Sequence, residues 1–194
     1  MLQTRVIPVL LLKNDGLVKT VKFKDESYVG DPVNAIKIFN EKEVDELIVL
    51  DIFASRRKQE LNYKVLEDIA SECFMPVCYG GGIKNLQQAT RLFNLGIEKI
   101  SIQTEALLKP DFIAECADYF GSQSVIFSID VKKDWLGRRQ VYNPLIKSKK
   151  IDWKSCVAQM IEKGAGEVMI NSVDEDGTME SPDLDLIKEA GESL

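Results

Sequence analysis

Short runs rich in valine, isoleucine and leucine alternate along this chain with amphipathic segments, and that alternation constrains the fold more than any other feature. The strand-like runs are Arg5–Leu12, Glu46–Ile52, Met75–Tyr79, Lys99–Ile102, Ser124–Val131 and Glu167–Ser172. Between and after them lie helical stretches at Pro32–Asn40, Asn62–Glu72, Leu86–Leu95, Asp111–Phe120, Trp153–Lys163 and Leu184–Ala190. In the third stretch Leu86, Ala89, Leu92 and Phe93 share one face, and Gly96 stands where a helix C-terminus favours it. Short, near-continuous apolar strands separated by helices read as a parallel sheet covered on both faces, an α/β fold with right-handed crossovers.

The order also repeats. "VIPVLLLK" (Val6–Lys13) returns as "SVIFSIDVK" (Ser124–Lys132), each followed by a hairpin-like excursion, Gly16–Phe23 and Gly137–Leu145. Next comes a helix and then a strand ending in acid, "DELIVLDI" with Asp51 and "GEVMINSVDEDGT" with Asp174 and Asp176. A period of about 120 residues is too long for a solenoid and suits a duplicated half-barrel. The expectation is a (βα)8 TIM barrel of duplicated half-barrels, one domain over residues 1–194 that contains about six βα units and lacks the last two. A doubly wound, flavodoxin-like sheet is the alternative, and the duplication favours the barrel. An open barrel would expose strand edges. The natural chain is therefore expected to reach about 250 residues, or a second copy to cover the opening.

With 45% hydrophobic and 29% charged residues, the composition is that of an ordinary soluble globular domain. A formal net charge of −6 argues against nucleic acid or an anionic membrane as partner. No apolar run is long enough for a membrane span, and the opening residues lack signal-peptide architecture, so the expected location is cytoplasmic. Cys73, Cys78, Cys116 and Cys156 are scattered without metal or redox spacing and read as buried free thiols. There is no histidine. Acid–base chemistry near neutral pH then falls to carboxylates, lysines, tyrosines or cysteines. Nothing in the residues calls for a metal or an organic cofactor.

Three strand-end motifs carry chemistry. Gly80–Gly82 ends an apolar strand shortly before a helix, so its amides can approach an anion, although a tight turn alone would also explain three glycines. "DEDGT" (Asp174–Thr178) is either a plain Asp-Gly turn or a presented amide and carboxylate. "SIQT" (Ser101–Thr104) is weak alone. Together they read as a ring for a phosphate or other polar ligand, on the side where α/β folds bind.

As an ordered set, "RVIPVLLLK", "GLVKTVKF", "GDP", "DELIVLDI", "YGGGI", "KISIQT", "FGSQSVIFSIDVK" and "SVDEDGT" resemble the cyclase subunit of imidazole glycerol phosphate synthase, HisF, from Met1 to about Pro182. The resemblance implies a (βα)8 barrel that takes ammonia from a partner glutaminase, HisH. The barrel conducts it to a phosphoribosyl-formimino carboxamide nucleotide, releasing imidazole glycerol phosphate and an aminoimidazole carboxamide ribotide. It places the family's catalytic aspartates on positions 11 and 130 and its loop lysine on Lys19. Asp130 and Lys19 match, but Leu11 stands in place of the other aspartate. The resemblance further implies substrate or phosphate contacts at Asp51, Gly82, Gln103, Thr104, Asp176 and Gly177. It also implies an ammonia gate of Arg5, Glu46, Lys99 and Glu167, although charges at strand starts are common in themselves. Gln103 replaces the asparagine usual in the family.

Leucine cannot transfer a proton, so ring closure is expected to be weakened or replaced while ammonia delivery is kept. Three readings follow. In the preferred one, a divergent HisF-type subunit receives ammonia from a HisH-like glutaminase and serves amidation of a sugar-linked intermediate in surface-polysaccharide synthesis, with a third protein holding the acceptor. In the second, a histidine-pathway cyclase compensates through Asp130, Asp51 or Asp176. In the third, a scaffold keeps the partner surface without chemistry, since fold does not guarantee activity.

Overall fold

The computed structural model describes residues 4–56, 60–146 and 151–193. Its contacts divide into two compact units, Met1–Val18 with Tyr28–Ser101, and Lys19–Ser27 with Ile102–Leu194. The strands and helices in each alternate much as the apolar runs predict.

In the first unit, β1 (Val9–Lys13), β4 (Leu47–Asp51), β5 (Val77–Gly80) and β6 (Lys99–Ile102) are neighbours in that order and parallel. The register sets Leu11 beside Leu50, Leu47 beside Val77 and Cys78 beside Lys99. All four residues of β5 are buried, the signature of a strand covered on both faces. The intervening helices are α1 (Pro32–Glu41), α2 (Tyr63–Glu72) and α3 (Leu86–Asn94). Each begins at a residue chemically suited to start it. Asp31 accepts from the Asn34 amide with Pro32 in the first turn, and Asn62 accepts from the Val65 amide. At α3 the capping is reciprocal, because Asn85 accepts from the Gln88 amide while the Gln88 side chain accepts from the Lys84 amide. That resembles a capping box and explains why Gln88 is buried on an otherwise apolar face.

Hairpin strands β2 (Gly16–Val21) and β3 (Lys24–Gly30) follow β1, and β2 pairs antiparallel with it, Leu11 opposite Val18. The first strand starts at Val9 and not at Arg5, since Pro8 has no amide hydrogen to give a ladder.

The second unit is built on β7 (Val125–Lys133), buried from Val125 through Val131, with β9 (Glu167–Ser172) parallel to it and β8 (Arg139–Val141) antiparallel. Helices α4 (Thr104–Leu108), α5 (Asp111–Phe120), α6 (Trp153–Glu162) and α7 (Leu184–Ser193) accompany them, with a 3-10 turn at Ser122–Ser124. Asp152 caps α6 by accepting from both the amide and the hydroxyl of Ser155. Arg139 on β8 ion-pairs with Asp183 and Glu189, so α7 is tied to the β7–β8 hairpin. Cys78, Cys116 and Cys156 are buried and Cys73 is half-buried, all four as free thiols. Burial pushes the Cys116 thiol up to about 12 and those of Cys73 and Cys156 to about 11, which removes them as nucleophiles near neutral pH. Among the described residues no helix is long and apolar enough to cross a membrane.

Candidate functional site

Asp130 is the sixth residue of β7, with its side chain 8% exposed. Both carboxylate oxygens are occupied by amide donors: Gln103 Nε2 donates to Oδ2 at 2.6 Å, and Asn171 Nδ2 on β9 donates to Oδ1 at 2.9 Å. β9 brings Asn171 there by register, because Asp130 and Asn171 are paired across the two strands. Burial pushes the Asp130 carboxyl above the usual carboxylate range; the two hydrogen bonds oppose that shift and the charge of Asp176 adds to it. A carboxyl held in this way is poised to exchange protons.

The polar contacts continue outward. Gln103 immediately precedes α4, whose first residue is Thr104. Asn143, beyond β8, donates through Nδ2 to Thr104 Oγ1 at 3.1 Å and to Gln103 Oε1 at 3.4 Å. The structure therefore gathers Asp130, Gln103 and Thr104 into one cluster. It adds Asn143 and Asn171, which the sequence reading passed over.

Asp176 follows β9 and clamps the tip of the β2–β3 hairpin. Its Oδ2 accepts from Thr20 Oγ1 at 2.8 Å and from the Phe23 amide at 3.0 Å, and its carbonyl accepts from the Lys22 amide. Gly177 has a positive φ of 64° and lies so close that a Cβ there would land on the Thr20 carbonyl. Both residues thus hold the hairpin that carries Lys19, an exposed side chain on β2. Phe23 in turn packs edge-on against Tyr142, ring centroids 6.3 Å apart. Replacing Asp176 with alanine should speed hydrogen exchange of the Phe23 amide about ten- to a hundredfold, the effect of losing a charged acceptor. The Lys22 amide, bonded to a main-chain carbonyl, should change less. Equal rates in both proteins at Phe23 would show that the clamp does not hold the tip.

In the first unit, Asp51 and Gly82 share a tight turn region. Asp51 Oδ1 accepts from the amides of Phe53 and Ala54 at 2.9 and 2.8 Å, closing the turn after β4. Gly82 donates its amide to Ser55 Oγ at 3.3 Å, and a Cβ on Gly82 would sit 2.8 Å from that of Ala54. A side chain at Gly81 would strike the Asp51 carbonyl. The glycines therefore allow close packing of two turns. Lys13 Nζ and the Arg56 guanidinium both lie over the Phe53 ring, at 4.4 and 5.2 Å from its centroid.

Leu11 is half-buried and paired in register with Leu50 and Val18, so the position is flanked by apolar residues on both sides. At the strand starts, Glu46 is 2% exposed and its Oε2 receives Lys99 Nζ at 2.9 Å and Arg5 Nη1 at 3.1 Å. Its Oε1 is buried without a hydrogen-bond partner among the described residues. Three of the residues assigned to a gate are thus one ion cluster, and Glu167 opens β9 in the second unit. Among the described residues no group of three or more histidine, cysteine, aspartate or glutamate side chains is arranged to hold a metal ion.

The family model described as histidine biosynthesis protein matches residues 5–194. The chain belongs to that family. A Pseudomonas aeruginosa protein provisionally named imidazole glycerol phosphate synthase subunit hisF2 is 53% identical over 193 residues, covering 97% of this chain and 75% of that protein. A Leptospira borgpetersenii protein provisionally named imidazole glycerol phosphate synthase subunit HisF is 51% identical over 191 residues, with 97% and 75% covered. Imidazole glycerol phosphate synthase subunit HisF of Streptococcus sanguinis is 35% identical over 194 residues, again with 97% and 75% covered. The chain is therefore a divergent member, more similar to the hisF2-type protein than to the Streptococcus HisF. Its mostly parallel sheet with alternating helices is the α/β, TIM-barrel-type fold of this family.

Proposed function

We propose that the protein is a HisF-type synthase subunit that receives ammonia from a HisH-like glutaminase and passes it to a phosphorylated acceptor, with the family's ring-closing step altered. The observation that carries this is an asymmetry between the two catalytic positions. Asp130 keeps a buried carboxyl clamped by Gln103 and Asn171, whereas Leu11 sits between Leu50 and Val18 with no proton to give or take. Ring closure by an acid–base pair loses one member there.

The ammonia side of the machinery keeps its parts. Glu46, neutralised on one oxygen by Lys99 and Arg5, still offers a buried Oε1 as an acceptor for an N–H of ammonia. Asp130 accepts a proton from the attacking nitrogen, and the exposed Lys19 meets the phosphate of the acceptor. The relatives are named as synthase subunits, and the pairing with a glutaminase is what the resemblance to HisF implies. The loss of the carboxylate at position 11 points to an acceptor other than the usual nucleotide, and we assign it to a sugar-linked intermediate of surface-polysaccharide synthesis, with a third protein presenting it.

The test mixes the purified protein with a HisH-like glutaminase and with the phosphoribosyl-formimino carboxamide nucleotide. Glutaminase activity should rise on mixing, while nucleotide turnover with ammonium salt stays far below that of a relative carrying aspartate in place of Leu11. Equal nucleotide turnover would establish an ordinary cyclase, and an unresponsive glutaminase would remove ammonia transfer.

A further inference from the structure

The direction of one side-chain amide decides what Asp130 can do, and the hydrogen bonds around it fix that direction. The Leu145 amide donates to Asn143 Oδ1 at 2.8 Å, so the Nδ2 of Asn143 must point the other way, toward Thr104 Oγ1 and Gln103 Oε1. With its Oε1 receiving that donor, Gln103 can only turn Nε2 toward Asp130 Oδ2, where it lies at 2.6 Å. The flipped amide would set two oxygens against each other at Asp130 and two nitrogens against each other at Asn143.

We infer that Gln103 is a positioning residue whose amide holds Asp130 as a proton acceptor and ties its charge state to the β7–β8 hairpin through Asn143. The inference rests on the reading of Asp130 as the reacting carboxylate. Two amide N–H donors, one on each oxygen, favour the ionised form over the neutral acid. The charged group acting on Asp130 through space is Asp176, which opposes ionisation; Gln103, Asn143 and Asn171 are neutral, and Lys132 on β7 lies over the Tyr142 ring. Gln103 thus supplies one of the two hydrogen bonds that let a buried carboxylate serve as a base.

The link to the hairpin is equally specific. Glutamine carries its amide one methylene farther from Cα than asparagine does, and from there it bonds Asp130 through Nε2 and Asn143 through Oε1. The Tyr142 amide donates to the Asp130 carbonyl at 2.7 Å, and Phe23 from the Lys19-bearing hairpin packs on the Tyr142 ring. A ligand that shifts either hairpin therefore moves Asn143 and, with it, the donor on Asp130.

The test follows the Asp130 side-chain carbon by NMR across pH in the native protein and in Gln103→Met, Gln103→Asn and Asn143→Ala. Gln103→Met should raise the ionisation midpoint by about one pH unit, the worth of one hydrogen bond to a charged group. Gln103→Asn should raise it as well, because the donor is kept but drawn back by one methylene. Asn143→Ala should give a smaller rise. A native midpoint in folded Gln103→Met, or in Gln103→Asn should the first variant fail to fold, overturns the assignment. A native midpoint in Asn143→Ala overturns the hairpin link. These readouts are independent of ammonia transfer, so failure of the proposed function and failure of this inference are told apart.

Discussion

Leu11→Asp should raise turnover of the phosphoribosyl-formimino carboxamide nucleotide with ammonium salt by about 10²- to 10⁴-fold, the range contributed by a general acid or base. The surroundings of the position allow the change. Leu11 is half-buried in β1, and alternation along the strand puts Lys13 on the same face two residues on. A cation so placed favours the ionised form of the introduced carboxyl. The same substitution removes leucine from contact with its apolar register partners Leu50 and Val18, so stability should fall by about 1–3 kcal/mol. The two effects have opposite signs and separate readouts, steady-state turnover for one and chemical denaturation for the other. A variant that loses stability without gaining turnover would mean that the missing aspartate is not what limits ring closure, and the proposed divergence at position 11 would fall.

The elements written in apolar residues were legible in advance. β4 and β7 are runs rich in valine, isoleucine and leucine and are buried along almost all of their apolar length, and the helices of the chain start at Asp31, Asn62, Asn85 and Asp152, residues whose short polar side chains cap amides. β3 was not legible, because Lys24–Gly30 is polar and nearly all exposed, so its pairing depends on the hairpin and not on burial. Nor was α4, where Thr104 opens a helix of five residues, too short to show a period.

The site shows the same division. Asp130, Gln103 and Asp176 are visible as residues at strand ends, but the hydrogen bond between Gln103 and Asp130 joins positions 27 apart, and no local pattern encodes it. Asn171 carried a usable signal: asparagine is unfavourable inside a strand, so one amid "EVMINS" asks for a polar partner. Asp51 carried another, since its oxygen bonds amides two and three residues on, as an aspartate at the start of a turn commonly does.

The ion cluster at Glu46 makes the second large prediction, and it separates structure from ammonia handling. Glu46 is almost fully buried, and its Oε2 takes both Lys99 and Arg5. Removing one member of a buried pair costs about 3–5 kcal/mol. Here the Lys99 contact dominates, because that side chain is 16% exposed whereas Arg5 is 49% exposed and its share is screened by water. Glu46→Ala is therefore expected to lose about 3 kcal/mol in chemical denaturation, near the lower end of that range. Glu46→Gln should lose less, since it keeps the volume and one acceptor for Lys99 and gives up only the charge. For turnover, the informative quantity is a ratio. If Glu46 Oε1 meets ammonia arriving from the glutaminase, Glu46→Gln should lower the glutamine-driven rate of acceptor turnover about tenfold, as losing one charged acceptor does, while the rate with ammonium salt changes little. The cluster would be structural alone if the two rates fell together, because a destabilised protein loses both in proportion to the folded fraction.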